Sequence, residues 1–385
     1  MSRSGEFKRT DTGYTAFSPH KLPPDEPGIS LDGELGVLLS KADQALGALN
    51  TIADVIPDPE LFVSMYIQKE ALLSSQIEGT QSTLIDVLGI DEDQEPTVDV
   101  GEVINYVKSL NYGLHRLQND DFPMSLRLLR EIHAILMQQV RGGVQNLTPG
   151  EFRTTQNWIG GANLASARFV PPPPETMVDA MNELEGYLHE GNDLPVLIQC
   201  ALIHYQFETI HPFNDGNGRL GRLLITLFLA WKGVLNEPML YLSAYLKTHQ
   251  QEYYDRLTQV RVDGNYEAWL SFFLEGIISV SNQAVQTTRR LQQLERDDID
   301  RLLSSNAGAK SIQLLRLLMR QPVIRVKDVE KELSINYSIA NRLIAEFEKI
   351  GIISQSNEGR RNRKFIYRDY IVIISEGTEL NQPAT

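Results

Sequence analysis

The stretch His211-Pro-Phe-Asn-Asp-Gly-Asn-Gly-Arg-Leu-Gly-Arg222 gathers, within twelve positions, the residue types that handle phosphate. The helical run over 201–210 must stop near His211, because Pro212 disfavours α geometry in the residue before it. A second helix is expected over about 219–231, carrying the apolar run Leu223 to Trp231. Between them, Asn214-Asp-Gly-Asn-Gly218 supplies glycines at which backbone can approach a ligand closely. The following helix directs free N–H groups and its positive end into that loop, which makes an anion site. Arg219 and Arg222 share one helix face in the first turn, where the dipole disfavours cations. A bound polyphosphate accounts for them, since guanidinium forks grip phosphate oxygens. Asp215 is a hard oxygen ligand suited to Mg²⁺ on nucleotide phosphates. His211 has the ordinary pKa of a general base that deprotonates an attacking hydroxyl.

Two other readings use the same residues. A plain helix–loop–helix with solvent-facing arginines needs no ligand. His204, Glu208 and His211, at i, i+4 and i+7, could line a zinc site. No Walker-type Gly-Lys-Ser/Thr signature is present, so a P-loop NTPase is not supported.

The elements that position these residues are expected to be mainly helical. Residues 1–30, punctuated by Pro23, Pro24, Pro27 and Gly28, read as an extended arm. Apolar residues then recur at helical spacing to about Ile90, and the acidic stretch Asp91-Glu-Asp-Gln-Glu-Pro96 reads as a loop. Further helices are expected at 99–117, 125–139, 175–190, 195–209, 243–262 and 265–300. The glycine- and proline-rich region between Gly142 and Pro174 breaks this pattern. Its pieces Thr154–Ile159 and Ala167–Val170 suggest a short β-hairpin, though a surface connector would look similar. After a hinge at 304–309 come helices at 310–320, 326–333 and 337–350, then strand-like Ile352–Ser354 and Lys364–Tyr367 around a polar tip. That is a winged helix-turn-helix pattern. The expected divisions are an arm over 1–30, a helical region over 31–118, a core over 119–303, the winged module over 304–375 and a tail over 376–385.

Composition bounds the function. The chain is 42% hydrophobic and 22% charged, as in a soluble globular protein. Its longest apolar run is about half of a membrane span, and no secretion signal opens it. The single cysteine, Cys200, fits a reducing cytoplasmic location. A net charge of −14 argues against nucleic-acid binding by the whole surface. Residues 306–370 nevertheless carry a local charge of +6, with Arg360, Arg361, Arg363 and Lys364 at the tip. The helix opening Tyr337-Ser-Ile-Ala-Asn-Arg342 has side chains suited to DNA contact. The same module suits protein docking or a homodimer equally well.

The twelve-residue stretch resembles the signature of the Fic family, H-x-F-x-[D/E]-G-N-G-R-x-x-R, at every defined position: His211, Phe213, Asp215, Gly216, Asn217, Gly218, Arg219 and Arg222. The resemblance implies a Fic-type helical core with a β-hairpin flap, joined here to a C-terminal winged helix. It implies transfer of AMP from ATP, with Mg²⁺, to a Ser, Thr or Tyr hydroxyl of a target protein. His211 would be the base, Asp215 the Mg²⁺ ligand, and Phe213 an inward anchor. Gly216, Asn217 and Gly218 would cradle the α- and β-phosphates, and the helix Arg219-Leu220-Gly221-Arg222 would grip the β/γ end. Ile159, Gly160, Gly161 and Ala162 would form the tip of a flap at which the target docks, and Tyr253 would lie on the adenine side or simply in the core. Ser74-Ser-Gln-Ile-Glu78-Gly79 resembles the family's inhibitory motif [S/T]-x-x-x-E-[G/N], in which Glu78 would pair with Arg222 and disfavour a productive ATP pose. A nucleotide sensor associated with DNA, AMP removal, and transfer of another phosphate-containing group remain open alternatives.

Overall fold

The computed structural model describes residues 2–11, 13–54, 59–89, 95–138, 148–190, 193–305, 307–356 and 363–380. The expected arm is partly a β-hairpin. Strands β1 (Gly5–Arg9) and β2 (Thr15–Pro19) pair antiparallel with Phe7 opposite Phe17. The turn is closed by Thr10 N–H on the Tyr14 carbonyl and Gly13 N–H on Thr10. Phe17 is fully buried, which ties the hairpin down through its apolar face.

Helices α1 (Glu34–Asp54), α2 (Pro59–Ile77), α3 (Leu84–Leu88) and α4 (Val98–Gln118) follow. Thr83 caps α3 with a reciprocal Asp86 bond, and Thr97 caps α4. Next come α5 (Leu126–Leu136), α6 (Pro174–His189), α7 (Val196–Ile210) and α8 (Asn217–Trp231), close to the expected bounds. Nearly every side chain of α7 and α8 is buried, so this pair forms the centre of the core. The single helix expected over 243–262 is broken into α9 (Ser243–Thr248) and α10 (Gln250–Asp263). At the break both His249 N–H and its ring Nδ1 turn to the Tyr245 carbonyl, each at 3.0 Å. The long α11 (Tyr266–Ser304) packs along α1.

The expected hairpin between Thr154 and Val170 is not a regular one. Only Ile159 and Phe169 bridge, and a 3₁₀ turn at Leu164–Ser166 closes the tip. The side chains explain this. Gln156 and Asn157 turn inward onto the carbonyls of Pro171, His211 and Phe213, and Phe17 N–H takes the Val170 carbonyl. Both edges of the segment are thus drawn to other partners.

Beyond α11 the chain forms α12 (Ala309–Arg320), β3 (Val323–Arg325), α13 (Val326–Glu332), α14 (Tyr337–Lys349), β4 (Ser354–Gln355), β5 (Lys364–Ile366) and α15 (Arg368–Ser375). The strands make an antiparallel sheet in the order β3-β5-β4, one strand more than expected, and α15 was also unforeseen. Asn341, at the start of α14, accepts from Arg363 at 2.6 Å, and Lys364 donates to the Gly89 carbonyl. Arg360 and Arg361 lie outside the described residues.

Two buried histidines tie these helices together, one to α8 itself and the other to the loop between α7 and α8. His204 on α7 donates from Nδ1 to the Gly221 carbonyl at 2.9 Å and accepts the Tyr253 hydroxyl at Nε2 at 2.8 Å. His133 on α5 donates from Nε2 to the Asp215 carbonyl at 3.0 Å and accepts Gly150 N–H at Nδ1 at 2.9 Å. Burial lowers both from the usual histidine value to about 4. The unfolded chain therefore binds protons that the folded chain refuses. Stability should fall as pH drops from about 6.5 toward 4, by up to ~1.4 kcal/mol per pH unit per histidine. Denaturant unfolding between pH 7.5 and 5 measures this slope, and His204→Gln should make it shallower; an unchanged slope would contradict the assignment.

Candidate active site

The loop between α7 and α8 is shaped by one strained residue. His211 has φ 51°, left-handed for a residue with a side chain. That geometry turns its carbonyl to two donors, Arg153 Nε at 2.9 Å and Asn157 Nδ2 at 3.2 Å. Arg153 is buried without a carboxylate; it also serves the carbonyls of Thr155, Pro172 and Ile210, while its own N–H meets Pro212. Asn217 closes the loop on itself, accepting Phe213 N–H at 2.9 Å and donating back to the Phe213 carbonyl at 2.8 Å. Phe213 is fully buried and stacks on His133 with ring centres 3.7 Å apart. The sequence thus spends its polar side chains on main chain, fixing the loop before any ligand arrives.

A cavity of about 700 Å³ opens over this loop. Its floor is His211, Asn214 to Gly218 and Arg222; one wall is the segment around Trp158, Ile159, Gly160 and Phe169, and the other is α10 with Tyr253, Tyr254, Thr258 and Arg261. His211 Nδ1 is buried and bonds to none of the described groups. Burial, then the nearby Arg153 and Arg261 guanidinium groups, lower His211 to about 3, so its ring is neutral at physiological pH.

Glu78, at the end of α2, reaches into this floor. Its Oε1 accepts from Arg222 at 2.6 Å, and Arg222 also bonds the Ser74 hydroxyl at 2.8 Å and carbonyl at 3.0 Å. A methyl group placed on Gly218 would lie 2.3 Å from Glu78 Oε1. The carboxylate therefore sits against the first turn of α8 at Gly218. Burial alone would raise the Glu78 pKa; the Arg222 guanidinium outweighs it and holds the carboxyl below its ordinary range. Gly79, at φ 95°, turns the chain away immediately afterwards.

The remaining expected residues divide. Ile159, Gly160 and Gly216 line the cavity, but Gly161 and Ala162 belong to the turn closed by Ser166. The Asn217 side chain is committed to Phe213, so any phosphate cradle there is main chain. Arg219, Leu220 and Gly221 are among the buried residues of α8 and do not line the cavity. Arg219 instead faces Glu102 of α4 at 3.6 Å and Asp215 at 3.9 Å. One helix face thus splits its two arginines, one inward and one to the cavity. Tyr253 is buried with its hydroxyl on His204; its neighbour Tyr254 is the more exposed.

Sequence reasoning missed Arg261, Tyr254 and Thr258, which follow i, i+4, i+7 spacing on α10. It named Glu208 only as a zinc candidate. Glu208 is buried at the cavity with Oε1 unpartnered, and burial raises its pKa to about 7. The zinc reading is overturned: both His204 nitrogens are engaged, and no group of three metal-ligating side chains occurs among the described residues. Asp215 fits a single-carboxylate cation site. Its Oδ1 accepts Gly216 N–H, and the side chain is 45% exposed to the cavity.

Known proteins resemble this chain in sequence and in fold. Residues 123–229 match the family model described as Fic/DOC family, and residues 37–115 match Fic/DOC family N-terminal. The chain is 31% identical over 221 residues to protein adenylyltransferase Fic of Culex quinquefasciatus, covering 54% of this chain and 40% of that protein. It is 29% identical over 248 residues to protein adenylyltransferase Fic of Aedes aegypti, covering 61% and 45% respectively. It therefore spans less than half the length of these two relatives. In fold it is similar to the crystal structure of a Fic family protein from Desulfovibrio desulfuricans G20, with TM-score 0.56 and 19% identity, over 88% of this chain and 97% of the other. No helix among the described residues is long and apolar enough to cross a membrane. Residues 123–229, which hold the signature loop, are thus similar to the Fic/DOC family, and residues 37–115, which hold Ser74 and Glu78, to its N-terminal region.

Proposed function

We propose that the chain is a protein adenylyltransferase that moves AMP from ATP to a Ser, Thr or Tyr hydroxyl, and that Glu78 restrains it. The observation that carries this reading is the Glu78 carboxylate seated on Gly218 and paired with Arg222. An anion already occupies the place where helix N–H groups and a guanidinium would bind a phosphate.

In the reaction, the target hydroxyl oxygen attacks the α-phosphorus in line with the bridging oxygen to the β-phosphate. That P–O bond breaks, pyrophosphate departs, and the hydroxyl proton passes to neutral His211. Arg153 and Arg261 depress the basicity of His211, and the negative charge of a bound triphosphate offsets them. Asp215 would hold Mg²⁺, which supplies neutralisation of phosphate charge. The main-chain N–H groups of Asn217 and Gly218 and the Arg222 fork would orient the phosphates. The segment around Ile159 is the expected docking edge for the target.

Three outcomes test this. With α-labelled ATP and Mg²⁺, His211→Ala should abolish protein labelling, and γ-labelled ATP should give none with either form. Glu78→Gly should raise labelling on the order of ten- to a hundredfold, the equivalent of one charge-assisted hydrogen bond; equal rates would remove the inhibitory role. Gly218→Ala should weaken nucleotide binding even when Glu78 is already Gly, as read by calorimetry, because its methyl group intrudes on the shared seat.

A further inference from the structure

The inhibitory helix α2 is held from two sides. At about 100° per residue, Ser74 and Glu78 lie on one face, while Lys69 and Gln76 fall together on the opposite one. The first face meets Arg222. The second meets the segment Glu376–Leu380, which follows α15. Lys69 Nζ donates to the Glu376 carbonyl at 2.7 Å, and Gln76 Nε2 to the Thr378 carbonyl at 3.2 Å. Lys247 of α9 bridges the two, donating to Gln76 Oε1 at 2.8 Å and to the Glu379 carbonyl at 2.6 Å. Glu376 is further anchored by Arg290 of α11 at 2.7 Å. Gln76 lies inside the inhibitory motif itself, so the segment grips the same two turns that present Glu78.

Lys69 is 2% exposed, and its described partners are the Glu376 carbonyl and the face of the Tyr241 ring, 4.7 Å from its centre. A buried ammonium with no carboxylate side chain bonded to it is expensive to hold. Withdrawal of the segment would leave Lys69 and Lys247 without those acceptors. The helix would then gain by shifting its second face toward water, which moves Glu78 off Arg222 on the first.

We propose that the segment Glu376–Leu380 is a latch: by holding Lys69, Gln76 and Lys247 through its main-chain carbonyls, it presses α2 onto Arg222 and couples the C-terminal module to the strength of inhibition. This rests on the inhibitory role of Glu78 proposed above.

The test combines removal of residues 376–385, and separately Lys247→Met, with two readouts. The first is hydrogen exchange of the α2 amides over 69–77; the second is labelling from α-labelled ATP. Both variants should exchange these amides about tenfold faster, the loss of one charge-assisted bond, with the amides of α7 and α8 unchanged as the check on folding. Both should also raise labelling toward the Glu78→Gly level and add nothing once Glu78 is Gly. Unchanged exchange in α2 overturns the latch. Faster exchange without increased labelling, where Glu78→Gly does increase it, overturns the coupling and leaves the Glu78 reading intact. If Glu78→Gly itself has no effect, the inhibitory reading fails and the coupling with it, while exchange still decides whether the segment clamps α2.

Discussion

A carboxylate and a guanidinium meet over the first turn of α8, and much of the surrounding structure serves that meeting. Arg222 is buried and needs an anion or a set of acceptors at all times. Ser74 supplies a hydroxyl and a carbonyl, and Glu78 supplies the charge. On the function proposed above, a ligand phosphate would bring the same sign of charge and acceptor oxygens as that carboxylate, so the seat could change occupant without losing its charge. The N-terminal helical region is thus a partner that completes the core's electrostatics, rather than a neighbour that happens to cover it.

The same economy governs the loop beneath. A left-handed histidine is costly, and the cost is met by Arg153 and Asn157, which reach across from the segment over the cavity to the His211 carbonyl. Asn217 and His133 then fix Phe213 and the Asp215 main chain. A single segment therefore both walls the cavity and holds the His211 carbonyl. Movement of that wall and alignment of His211 are linked through two hydrogen-bonded side chains.

The helices were legible in the sequence because their apolar periodicity is strong, while the caps at Thr83 and Thr97 and the breaks between α1, α2 and α3 were not read from it. The cavity floor was legible because its residues are contiguous. What escaped depends on distant partners. The strands of the N-terminal hairpin gain their meaning from Phe169 and Val170, far along the chain. The expected flap hairpin gave way to a single bridge because Asn157 and Gln156 found carbonyls outside it. Arg219 and Arg222 share spacing and chemistry, and only the position of Glu102 on another helix decides which one turns inward. In α15, the β-branched run Ile371-Val-Ile-Ile374 gives no local sign of the helix that packing imposes. Arg261 was invisible for a similar reason: its face of α10 becomes a wall only once α7 and α8 are in place.

The contacts to the segment 376–380 run mainly to carbonyl oxygens, which every residue type presents alike. Three of its positions are nevertheless fixed: Glu376 by Arg290, Gly377 by its φ of 79°, and Thr378 by burial and a hydroxyl bond to the Ser375 carbonyl. Register is fixed as well. One inserted or lost residue between α15 and Thr378 would carry each carbonyl past its donor, so in this stretch length is constrained along with composition.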